Sequence, residues 1–120
     1  MEETREYIYM KRGLRGLIVI EEGEKLYVRN DDRDGRNVDL WLRHNWKVDN
    51  GAYSFKEDNV EFIAEIGFAS KTERHDVGHY GEFFYDLQVK VSVKPQDAVL
   101  PKDLTEFLKK EGFSKSSKSP

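Results

Sequence analysis

The residues best equipped for chemistry cluster in Glu73-Arg74-His75-Asp76-Val77-Gly78-His79-Tyr80, which holds two of the three histidines and two carboxylates. Neutral imidazole nitrogens and carboxylate oxygens are the donors that zinc and related divalent ions take. His75, Asp76 and His79 are therefore the candidate metal ligands, and a metal-dependent enzyme centred on them is one expectation. A further ligand would have to come from elsewhere, such as His44. Gly78 and Gly81 speak against a helix that would stack His75 over His79. A solvated, histidine-bearing loop over residues 70–80 accounts for the same residues more simply. No cofactor is expected beyond this divalent ion.

Other polar segments fall short of defined sites. Asn30-Asp31-Asp32-Arg33-Asp34-Gly35 opens like a calcium loop, with oxygen donors at alternate positions and glycine at the sixth. The closing glutamate is missing, because Trp41 stands at the twelfth position, and Arg33 and Arg36 add positive charge. A polar turn is expected. Lys11, Arg12 and Arg15 surround Gly13 and Gly16 and could meet a phosphate with cations and backbone amides. No Gly-Lys-Ser/Thr signature follows, so an ordinary hairpin is the better expectation. The chain has no cysteine and no Gly-x-Ser-x-Gly elbow, which removes thiolate chemistry and the usual serine nucleophile. Glu61 and Glu65 share a strand face and could act as acid and base, but carboxylates opposite lysines on a solvated ladder are ordinary surface. The balance leans away from an enzyme.

Aromatic residues beside cations form the remaining constellation. Read as a strand, Val38 to His44 places Trp41 and Arg43 on one face, and Tyr27 and Arg29 repeat the pattern on a neighbouring strand. Such a face could stack a base or a sugar ring. Ile63 and Phe84 fall on the same secondary face, so the candidate binding set is Trp41, Arg43, Tyr27, Arg29, Ile63 and Phe84.

The elements that must position these groups follow from periodicity. Val60, Phe62, Ala64, Ile66 and Phe68 alternate, as do Phe83, Tyr85, Leu87, Val89, Val91 and Val93. That period predicts two long strands with one buried face. Shorter strands are expected at Tyr7 to Met10, Leu14 to Ile20 with a bulge at Gly16, Lys25 to Arg29, Val38 to His44 and Ala52 to Phe55. Turns are expected at residues 21–24, at Asp34-Gly35 and at Asn50-Gly51. Leu104, Phe107 and Leu108 share a helical face, Pro101 suits a first turn, and Gly112 suits a stop, which predicts a helix over 101–111. The fold class is therefore mainly β, an antiparallel sheet in a sandwich or barrel-like form with one short C-terminal helix. It becomes α+β if that helix packs on the sheet. The helix is expected to cover the secondary face or to seal the end of a barrel. Residues 1–113 are expected to form a single β-rich domain, with 114–120 a disordered Ser/Lys tail.

At 120 residues the chain can close a core without cross-links. Charged residues reach 36% while the net charge is only −3, so no global footprint for duplex nucleic acid exists. No run approaches a membrane span and the N-terminus lacks a signal core, so a cytoplasmic protein with no membrane partner is expected. The leading functional expectation is a non-enzymatic module that binds a protein partner through the aromatic sheet face and the 70–80 loop, since interfaces favour Trp, Tyr and Arg. Binding of single-stranded nucleic acid is the alternative. Edge pairing into a homodimer is possible.

Overall fold

The structure, a computed structural model, describes residues 3–29 and 33–116, without the side chains of Arg29 and of residues 75–77. Its elements are β1 (Arg5–Glu21), β2 (Glu24–Arg29), α1 (Arg33–Asn45), β3 (Lys47–Asp49), β4 (Ala52–Glu57), β5 (Val60–Val77), β6 (Tyr80–Lys94), α2 (Lys102–Lys110) and β7 (Ser114–Lys115). The strands form one antiparallel sheet in the order β2-β1-β6-β5-β4-β3, with β7 pairing β1. The sheet curls into a half-barrel, and the mainly β class expected from the sequence is observed.

β6 is the axis of the sheet. Its residues alternate between buried and half-buried from Gly81 to Val93, as the two-residue period requires. Val89, Val91 and Val93 meet Phe62 and Ala64 of β5 and are covered by Val38 and Leu42 of α1 and Leu104 and Leu108 of α2. Each fully buried leucine contributes about 1.5–3 kcal/mol relative to an exposed one. α2 stops in the way the sequence predicts. Gly112, at φ +91°, donates its N–H to the Lys109 carbonyl, and the Phe113 N–H reaches Leu108 at 2.9 Å. This is the glycine-dependent double bond that closes a helix, and Phe113 is buried against the core.

Five expectations are corrected. Residues 38–44 are helix, not strand. Val38, Trp41, Leu42 and Trp46 follow the three-and-four spacing of a helical stripe, whereas Leu40, which a strand would bury, is 57% exposed. Asp34 sits in the first turn of α1 and Arg43 and His44 in the last, each suited to the helix dipole, so Asp34-Gly35 begins a helix instead of turning a hairpin. The segment 70–80 is likewise not a loop. β5 runs to Val77, and only Gly78 and His79 form the turn before Tyr80. The bulge expected at Gly16 lies between Lys11 and Leu14, so β1 is one continuous strand. Ser114 and Lys115, expected in the tail, pair with Met10 and Tyr9; residues 117–120 lie outside the described residues.

The molecule is long, with extents of 55 × 29 × 28 Å. Its Cα radius of gyration of 16.7 Å exceeds the roughly 14 Å of a compact chain of this size. The length comes from an arm, formed by β2 and the distal parts of β1, β5 and β6. The helices fill the concavity of the sheet only at the other end. In the arm a small second core of Ile18, Phe83 and Tyr85 is flanked by Leu14 and Ile20.

Candidate functional site: the open end of the half-barrel

The arm presents a concave face whose two borders are β2 and β5. β5 pairs β4 only from Val60 to Ala64, and β2 pairs only β1, so beyond Ala64 no described strand closes the gap between them. Side chains close it instead. The Lys25 ammonium lies 2.9 Å from Glu73 Oε2, and Tyr27 Oη donates to Glu73 Oε1. The Lys71 ammonium sits 3.5 Å from the centroid of the Tyr27 ring. The Tyr27 and Lys25 hydrogen bonds hold the Glu73 carboxyl below its ordinary value. The same bonds to Glu73 raise the Tyr27 hydroxyl and the Lys25 ammonium.

Under this latch lies a cleft of about 240 Å³ lined by Tyr27, Phe68, Lys71, Phe83 and Tyr85. The edge of Tyr27 meets Phe83 at a centroid separation of 5.4 Å, and Phe68 meets Tyr85 in the same manner at 5.3 Å. Phe83 and Tyr85 are buried, but Phe68 remains 55% exposed and Tyr27 40%. Gly16 permits this arrangement, because a Cβ there would stand 2.3 Å from the Phe83 ring. The cleft offers aromatic surface, one cation and no paired catalytic groups.

The six binding residues read from the sequence occupy three separate places. Tyr27 lines the cleft, and Arg29 follows on the same strand face, its side chain outside the description. Trp41 lies on α1, stacked on Phe107 of α2 with centroids 5.1 Å apart and planes 16° from parallel. Arg43 is one helical turn from Asp39, whose carboxylate it bonds at 2.9 and 3.0 Å. Asp39 also accepts from Tyr53 Oη, and burial, followed by this bond, pushes the phenol up to about 12. Ile63 and Phe84 are on the outer face of the sheet, opposite the helices; the Arg15 guanidinium stands 5.7 Å over Phe84. Trp41 and Arg43 therefore form no sheet platform. The C-terminal helix meets Trp41 because both belong to the helical layer, and it leaves Ile63 and Phe84 uncovered.

The other candidates resolve individually. His79 is exposed in the hairpin turn, where its carbonyl accepts from Ile20 N at 2.9 Å. The His75 and Asp76 side chains lie outside the description. His44 belongs to the helical layer, roughly 30 Å from the hairpin turn by strand length, so it cannot complete a site with His79. Among the described residues, no group of three potential metal ligands is gathered. Asn30 to Asp32 of the calcium-like segment lie outside the described residues, and Asp34 is paired with Lys11 at 2.6 Å. The basic β1 segment is also committed. Lys11 additionally bonds the Glu111 carbonyl, and the bulged Gly13 N–H is taken by Asp86 Oδ1 at 3.0 Å. An internal carboxylate thus occupies the place a phosphate would need. Glu61 and Glu65 lie opposite Lys94 and Lys90, as surface pairs do.

Phe68 and Lys71 of the cleft and Glu73 of the latch are the residues that sequence reasoning missed as a group. The available signal was an imbalance. Inward apolar residues continue along β6 through Tyr85 and Phe83, while β5 turns polar after Phe68. A buried strand face opposite a polar one marks an opening. Comparison of the chain with protein-family models, curated proteins and solved structures finds no match. Fold and site together define a curled half-barrel with an aromatic cleft at its uncovered end.

Proposed function

We propose that this protein is a non-enzymatic interaction module that engages a protein partner through the open end of its half-barrel. The observation that carries the reading is the unequal filling of one concave sheet face. Two helices pack one end, while Phe68 and Tyr27 stand exposed over a cleft at the other. Exposed aromatic rings on a rigid sheet are the residues that dominate interface energies, and they lose little conformational freedom on binding. Nucleic acid is the weaker alternative, because Arg43 and Lys11 are already spent on Asp39 and Asp34.

The reading is tested by placing the photo-crosslinking residue benzoylphenylalanine at Phe68 or, as a control, at exposed Leu40 of α1. Irradiation in an extract of the source cells should join one discrete protein to the position 68 variant and none to the control. Equal labelling at both positions, or adducts with nucleic acid alone, overturns it.

A further inference from the structure

Resting on that reading, we propose that the partner contributes an extended acidic segment that adds as a strand to the β5 edge between Gly67 and Thr72. Three observations lead there. The first is the backbone: on the side away from β6, no described strand pairs with β5 beyond Ala64, so the peptide groups of Phe68 and Lys71 face a gap that only side chains bridge. An incoming strand would part the Glu73 contacts with Lys25 and Tyr27. An unpaired edge is the usual template for strand addition. The second is the cleft beside that edge. Its volume of about 240 Å³ and its aromatic walls suit one ring or branched aliphatic side chain, and its mouth is Phe68.

The third observation is charge, and it selects the occupant. Lys71 lies on the same inward face as Phe68, over the Tyr27 ring, and with Lys25 gives two ammonium groups to the single Glu73 carboxylate, which the Lys25 ion pair already holds. A lysine at a sheet edge opposes neutral apolar strands, because pairing would bury the ammonium without a counter-charge. A strand that brings a carboxylate removes this penalty. The register supplies a spacing. Phe68 and Lys71 stand opposite Leu87 and Tyr85, which are two residues apart on β6, because of the bulge between Phe68 and Ser70. A regular strand on the other side would likewise need its apolar side chain and its carboxylate two residues apart.

A phage-displayed library of random heptapeptides, selected on the immobilised full chain, tests this. The wild-type protein should enrich an aromatic or branched aliphatic residue two positions from Asp or Glu. A synthetic peptide of that sequence should bind Lys71→Glu at least about tenfold more weakly and should slow amide exchange at Gly67 to Thr72. Lys71→Glu should in turn select basic residues at the acidic position. Lys71→Glu changes an exposed side chain, and circular dichroism verifies its folding. Peptides that lack the acid, ignore Lys71→Glu or protect Leu26 to Val28 instead would overturn the acidic-strand inference while leaving the interaction module standing. Failure to enrich any peptide would overturn both.

Discussion

Gly16→Ala probes the reasoning about the arm most directly. The added methyl would meet Cε1 and Cζ of Phe83 at 2.3 Å, far inside van der Waals contact. The ring has little room to retreat. Tyr27 abuts it at 5.4 Å and Tyr85 at 5.5 Å between centroids, and Ile18 completes the same small core. Forcing a methyl into a packed site typically costs about 1–3 kcal/mol. Replacing glycine within a strand should by itself stabilise by roughly 0.5–1 kcal/mol, through reduced freedom of the unfolded chain. The packing cost wins, and a net loss of about 1–2 kcal/mol is expected. For a domain of this size that corresponds to a melting temperature lower by roughly 4–10 °C. Urea unfolding measures the loss, and amide exchange should place it in β2 and the distal part of β6. Phe83→Leu in the Gly16→Ala background should recover part of it, with a coupling of about 1 kcal/mol in a double-mutant cycle. A Gly16→Ala protein as stable as the parent would refute the close approach and with it the shape of the cleft.

Trp41→Ala removes the ring stacked on Phe107 and should cost about 2 kcal/mol in urea unfolding, because a half-buried indole supports both helices; a loss below about 0.5 kcal/mol would return Trp41 to the surface. Tyr53→Phe deletes the bond to Asp39 and should cost about 1 kcal/mol near neutral pH. Since the Tyr53 phenol titrates near 12 in the fold and near 10 when unfolded, its contribution is complete below pH 10 and lost as pH rises towards 12. The parent should therefore lose more stability than Tyr53→Phe across that window. Glu73 has a lowered pKa, so the stability it adds is present above the ordinary carboxylate value of 4.5 and lost as pH falls below it. Amide exchange in β2 should accelerate below that value in the parent, and Glu73→Gln should abolish the acid dependence; an unchanged profile would exclude the latch.

The sequence carried the long hairpin and the terminal helix because their apolar spacing is consistent over many residues. Leu104, Phe107 and Leu108 admit no strand reading, and the alternation from Phe83 to Val93 admits no helix. Val38 to His44 admits both. Val38, Leu40 and Leu42 alternate, while Val38, Trp41 and Leu42 also keep helical spacing, and only packing against Leu104 and Leu108 decides between them. The 70–80 segment misled for another reason. Its polar composition matches a loop, but an edge strand at an uncovered end has no core to demand apolar residues on either face. The cleft was illegible as a unit because Tyr27 and Glu73 are 46 positions apart and meet only through the curl of the sheet.

Asp86 lies where two irregularities converge. It accepts from Gly13 N within the β1 bulge and from Ser70 Oγ beside the β5 bulge, at 3.0 Å each. Each flanking strand gains one residue on β6 at this level, and each thereby changes phase. Odd-numbered residues of β1 face inward before the bulge and even-numbered ones after it, while β5 changes from even to odd. Each flanking strand therefore carries one spare residue, at two points far apart in sequence. A single deletion near Arg12, or of Ala69, would heal the bulge into plain alternation and keep Leu14, Gly16 and Ile18, or Lys71 and Glu73, facing inward. The arm should accept the loss of a residue at either point far better than the gain of one, which would turn those side chains outward.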